Sequence, residues 1–106
     1  ALPFEVSDMV VLFSNLLDNA IEACEKIEDD RVIRVSAVLK QSFLFSVRNT
    51  TLPVEIKNDT IQTTKPNASL HGFGLSNIKL ILNKYHADFV MDYEDGWFQF
   101  TGEIEA

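Results

Sequence analysis

Apolar residues recur at helical spacing from about Ser7 to Ile27. At about 100° per residue, Met9, Phe13, Leu16, Leu17, Ala20, Cys24 and Ile27 gather on one side, and Asn15, Asp18, Asn19, Glu22 and Lys26 gather opposite. The pattern predicts an amphipathic helix with a core face and a polar face, and Ser7 or Asp8 stands ready as its cap. After the charged turn Glu28-Asp29-Asp30, the period shortens to two. Ile33, Val35, Ala37 and Leu39 alternate along Val32 to Leu39, and Phe43, Phe45 and Val47 along Phe43 to Arg48, with Lys40-Gln41-Ser42 between them, which predicts a hairpin. From Asn49 to Leu70 the pattern dissolves into Thr, Asn, Pro and Lys. A loop of about twenty residues in a small domain is usually functional or mobile. Helical spacing returns from Gly74 to about Tyr85, with Leu75, Ile78, Ile81 and Leu82 on the buried side. Ala87 to Glu94 and Trp97 to Ile104 then read as a strand pair joined by Asp95-Gly96, a dipeptide favoured in two-residue hairpin turns. This order predicts an α+β, two-layer sandwich, with helices on one face of a mixed, mostly antiparallel sheet.

A chain of 106 residues is one domain, 1–106, short for a complete signalling protein, and its Pro-containing start, Ala1 to Glu5, reads as a cut from a longer one. The formal net charge of −7 disfavours nucleic acid or an anionic membrane as a partner, since both would be repelled. It also means that a polyphosphate would need a metal ion and local cations to be held here. No run approaches the roughly 18 apolar residues of a membrane span and no signal peptide opens the chain. The lone Cys24 fits a reducing cytoplasm, and without a secretion signal the Asn67-Ala68-Ser69 sequon carries little weight.

Two segments carry the chemistry. Asn15, Asn19 and Glu22 stand at i, i+4 and i+7, so three oxygen-bearing side chains share one helical stripe. Asparagine is a poor helix former, and two in mid-helix, where Glu or Lys would solvate better, point to a role. Magnesium takes oxygen ligands and typically only one or two from protein, the rest from water and phosphate. Asn19 could supply the ligand, Asn15 could contact its water or a phosphate, and Glu22 could act as a base. The second segment, His71-Gly-Phe-Gly-Leu-Ser76, places Gly72 and Gly74 where the chain is expected to turn into a helix. There the N–H groups of Phe73, Gly74 and Leu75 would face an anion. Together the segments point to a magnesium–nucleotide site.

Asn15-Leu-Leu-Asp-Asn-Ala-Ile-Glu-Ala23 resembles the asparagine box of the GHKL ATPase superfamily. With Cys24 following and His-Gly-Phe-Gly-Leu-Ser-Asn-Ile later, the wording is most similar to the catalytic domains of Agr-like and citrate-sensor-like histidine kinases. The resemblance implies a Bergerat ATP-binding fold, with ATP and Mg2+ as cofactors, Asn19 as the metal ligand and Asn15 beside it at the phosphates. It also implies a lid over about 50–70, in which Lys65 could approach the terminal phosphates. Gly72 and Gly74 match the second and third glycines of the family's Gly-x-Gly-x-Gly-Leu element, and Leu70 stands for the first. Asn49 stands where the family has an Asp that accepts from the adenine amino group, and Thr50 and Thr51 replace the glycines after it. The amide oxygen of Asn49 still accepts, more weakly than a carboxylate. Glu22 stands near the expected base.

The implied function is transfer of the ATP γ-phosphoryl group to a histidine on separate dimerisation helices. A response regulator would act downstream, and the domain would be the cytoplasmic part of a membrane-bound sensor. The alternatives are an anti-sigma-type serine kinase and a degenerate, non-enzymatic nucleotide-binding module. Neither His71 nor His86 lies in a phosphoacceptor helix. Cys24 reads as packing, Trp97 as hairpin surface and Lys79 as a solvated cation. No Ser-His-Asp arrangement or Cys/His cluster can be assembled.

Overall fold

The first amphipathic pattern becomes helix α1, Val6–Glu25, with Met9, Leu16, Ala20 and Cys24 of the expected stripe buried. The computed structural model describes residues 2–53, 55–57, 60–62 and 68–105, with side chains for 2–53 and 75–105. The remaining elements are β1 (Ile33–Leu39), β2 (Ser42–Thr50), β3 (Glu55–Lys57), β4 (Thr60–Gln62), α2 (Ala68–Lys84), β5 (Asp88–Glu94) and β6 (Trp97–Glu105). Four strands form one sheet in the order β1-β2-β6-β5, and every described pairing in it is antiparallel. The expected helices-on-one-face α+β sandwich is the architecture observed.

Both hairpins form as the period-two patterns require. Asp95 and Gly96 have φ of 50° and 83°, the left-handed pair that a type I′ turn demands, which is why Asp-Gly closes β5 onto β6. Alternation puts Phe43, Phe45, Val47 and Asn49 of β2 on the helix side with Phe100, Gly102 and Ile104 of β6. There they meet Leu12, Leu16, Leu75, Ile78 and Leu82, the floor and roof of one core. Leu12, fully buried, is a core residue the expected face omitted. Chain direction follows from three contacts. Phe13 packs on Phe43 and Phe45, Cys24 reaches Thr50, and Asp8 meets Lys84. Thus α1 runs alongside β2 in the same direction, and α2 returns antiparallel to α1.

Three expectations are corrected. The helix cap is Glu5, without a side-chain hydrogen bond, rather than Ser7 or Asp8. Asp8 lies within the first turn of the helix and its carboxylate accepts instead from Lys84 Nζ at 2.8 Å and from the Tyr85 hydroxyl, while Tyr85 in turn accepts from the Glu5 N–H at 3.0 Å. The would-be cap has become a clasp between the start of α1 and the end of α2. Second, α2 begins at Ala68, not at Gly74, so Gly72, Phe73 and Gly74 are helical. Each glycine weakens a helix by only about 1 kcal/mol, and Ala68, Ser69 and Leu70 can carry the extra turns. Third, the 49–70 segment is not a plain loop, because β3 and β4 pair within it.

The clasp makes stability depend on pH. Hydrogen bonding from Lys84, then from Tyr85, lowers the Asp8 pKa below the usual carboxylate value. Its stabilisation is therefore complete above the unfolded pKa of about 3.9 and disappears as pH falls through the lower folded value. Asp8→Asn should melt below the parent at pH 7, and the gap should close on acidification through that window in melting curves taken against pH. At the other edge the same contact raises the Lys84 pKa, so its contribution is lost only as pH rises through that elevated value.

Candidate functional site

Asp8, Asn15, Asn19 and Glu22 lie within a narrow arc of α1, since seven residues are almost two full turns. The contact of Asp8 with α2 shows which way that arc faces: along the seam between the helices. Asn15, Asn19 and Glu22 are accordingly half-buried, whereas Asp18 and Lys26 are exposed. With a rise of about 1.5 Å per residue and antiparallel helices, counting back from the Asp8–Lys84 contact puts Asn19 level with the Gly72–Gly74 segment of α2. The structure therefore brings the two motif segments to the same stretch of one seam.

The end of β2 joins them there. Asn49 is 3% exposed, on the helix-facing side of the sheet. Its Nδ2 donates to the Thr50 carbonyl at 3.1 Å, which leaves Oδ1 as an acceptor without a donor among the described residues. The neighbouring Thr50 holds this end in place. Its Oγ1 accepts from the Val32 N–H at 3.0 Å, and its carbonyl accepts from the Cys24 thiol at 3.4 Å. Cys24 is thus buried packing that ties α1 to the end of β2, as read from the sequence. The clamp formed by Thr50 had no signal in the sequence beyond a threonine at a strand end.

Asn15 donates its Nδ2 back to the Val11 carbonyl at 2.9 Å. Amide oxygens carry no proton of their own, so this stripe offers the donor type that a hard cation or its water shell can use. No group of three His, Cys, Asp or Glu able to hold a metal occurs among the described residues. A cation beside Asn19 would therefore complete its shell with water and ligand oxygens, as magnesium prefers. The oxygen-only donor set fits that ion.

The correction to α2 changes which backbone donors lie free. In a helix starting at Ala68, the N–H groups lacking an intrahelical acceptor are those of residues 68–71, whereas those of Phe73, Gly74 and Leu75 lie inside. The Leu75 side chain is buried in the core. Lys65 lies outside the described residues, as do Thr63 and Thr64. His86 ends α2 in a left-handed conformation, φ 51°, and Ala87 N–H then donates to the Leu82 carbonyl at 2.9 Å, a helix-stop role.

Comparisons with known proteins bear on the family and the fold. A family model described as the GHKL domain matches residues 4–105. Among solved structures, the fold is similar to that of the catalytic domain of histidine kinase ThkA, with a TM-score of 0.71 at 20% identity over 93% of this chain. The match spans 65% of that chain, and at this identity the likeness is one of fold. A search of curated proteins found no match.

Proposed function

Because the chain belongs to the GHKL domain family, we propose that it is the ATP-binding catalytic domain of an Agr-like or citrate-sensor-like histidine kinase, a cytoplasmic fragment of a longer sensor. The observation that carries the reading is the convergence of the Asn15–Asn19 stripe, the buried Asn49 and the glycine-bearing start of α2 at one end of the sandwich.

In this reading adenine enters between α1 and the end of β2, where the Asn49 Oδ1 accepts from its amino group. The phosphate tail runs along the seam toward α2. The positive end of that helix and the N–H groups of its first turn attract the phosphates, and Gly72 and Gly74 add no side-chain bulk beside them. Asn19 and Asn15 present amide oxygens to a magnesium ion or its waters, and the ion, when bound, neutralises phosphate charge that a chain of net charge −7 would otherwise repel. Lys65, in the proposed lid over about 50–70, adds a cation at the terminal phosphate. Glu22, on the same stripe, takes a proton from the attacking group in this reading. The acceptor is a histidine on separate dimerisation helices, and a response regulator takes the phosphoryl group from there. Positioning and charge neutralisation do most of the work in such transfers.

Titration calorimetry with a non-hydrolysable ATP analogue tests the reading. Saturable binding that requires magnesium and prefers adenine over guanine is expected, and its absence would overturn the nucleotide assignment. Asn49→Ala should lower affinity for the adenine nucleotide by about tenfold, the worth of one buried hydrogen bond, and erase the adenine preference. An unchanged preference would remove Asn49 from base recognition. Transfer is tested by adding a helical hairpin protein that carries the acceptor histidine.

A further inference from the structure

The face of the sheet turned away from the helices carries an arrangement the nucleotide site does not use. Arg34 of β1 and Arg48 of β2 are direct cross-strand partners. Such partners lie about 4.5–5.5 Å apart at Cα, and like charges placed there repel. Both guanidinium groups nevertheless sit over one indole, 5.5 Å and 4.8 Å from the centre of Trp97. Among the described residues neither arginine joins an ion pair, and Arg48 Nε is shut off from solvent with no acceptor. The indole, rather than an acceptor among the described residues, holds the two cations together.

Beside them lies an open recess of about 250 Å³ lined by Arg48, Asp92, Glu94, Asp95, Trp97 and Gln99. The acids do not answer the arginines, because Gln99 of β6 stands between Arg48 and Asp92 in the cross-strand row. One wall of the recess is therefore basic and aromatic, and the opposite wall is acidic.

We propose that Arg34, Arg48 and Trp97 form a docking site for a carboxylate side chain on a peptide segment of a partner protein. A planar carboxylate matches the guanidinium fork bidentately and removes the repulsion between the two cations. The acidic wall of Asp92, Glu94 and Asp95 disfavours a dianion such as phosphate and favours a segment that carries Lys or Arg close to its acid. The site lies on the opposite face of the sheet from Asn49, so it is separate from the nucleotide.

Trp97 is the only tryptophan, so its emission reads the site directly. The chain is titrated with the peptide acetyl-Gly-Glu-Gly-Lys-Gly-amide, and a saturable change in emission is expected. Replacing Glu by Gln in the peptide, or Arg34→Gln or Arg48→Gln in the chain, should weaken binding at least about tenfold. A saturating magnesium–nucleotide analogue should leave the affinity unchanged. Arg34→Gln, at an exposed edge-strand position, should melt with the parent, which keeps the test clear of folding effects. No saturable change, equal binding of the Gln peptide, or an unaltered response in Arg34→Gln would overturn the site. Tighter binding of inorganic phosphate than of the Glu peptide would overturn the carboxylate assignment.

Discussion

Asn19→Ala is expected to weaken magnesium–nucleotide binding about 30- to 150-fold while leaving the fold intact or slightly stabilised. The two effects have opposite signs because they act on different links of the chain from sequence to function. Asn19 is half-buried on the seam, where its amide oxygen is proposed to reach the metal, and losing an interaction with a charged centre costs about 2–3 kcal/mol. Alanine, however, is the better helix former by roughly half a kcal/mol, and nothing in the core rests on Asn19. Calorimetry should show the loss of affinity and thermal melting should show none. A variant that bound as well as the parent, or one that lost binding only together with its melting transition, would count against the metal role. Adding EDTA to the parent should reproduce the loss, and Asn19→Asp should restore part of the metal contact while adding charge near the phosphates.

What the sequence conveyed depended on how local each cause was. The Asp95-Gly96 turn and the alternating Phe43, Phe45 and Val47 are decided within a few residues, and they appear as expected. The asparagines stood out because two poor helix formers recur four residues apart on the polar stripe of the helix. Asp8 was misread because a carboxylate near a helix start caps in isolation, whereas Lys84 and Tyr85, more than seventy residues away, offer it stronger partners. Gly72 and Gly74 signal a turn locally, and the helix running through them from Ala68 is a non-local result. The strands β3 and β4, three residues each, are too short to leave a period. The Arg34–Trp97–Arg48 cluster needed the register of three strands before it could be seen.

Gly102→Val is expected to be strongly destabilising. Glycine in a strand interior normally weakens it, so valine should help by propensity alone. Here the opposite holds. Gly102 is the cross-strand partner of Phe45, and a Cβ added there would meet Phe45 Cζ at 2.4 Å and Cε1 at 2.7 Å. A ring can sometimes swing aside, but Phe45 is 1% exposed and hemmed in by Phe13, Phe43 and Phe100 at centroid distances of 5.4, 5.6 and 6.4 Å. Overpacking of this kind costs about 1–3 kcal/mol for a small insertion and more for a branched one. At about 4–8 °C per kcal/mol for a domain near this size, a loss of about 10 °C or more in Tm is expected for valine, and less for Gly102→Ala. Phe45→Leu removes the ring atoms that clash, so Gly102→Ala combined with Phe45→Leu should be less destabilised than the sum of the two, by roughly 1 kcal/mol or more. Strict additivity, or a Gly102→Val protein as stable as the parent, would show that the ring has somewhere to go. The consequence reaches the proposed site as well. Phe45, Val47 and Asn49 alternate along one face of β2, so a strand pushed off its packing by the branched side chain carries Asn49 with it, and nucleotide affinity should fall together with stability.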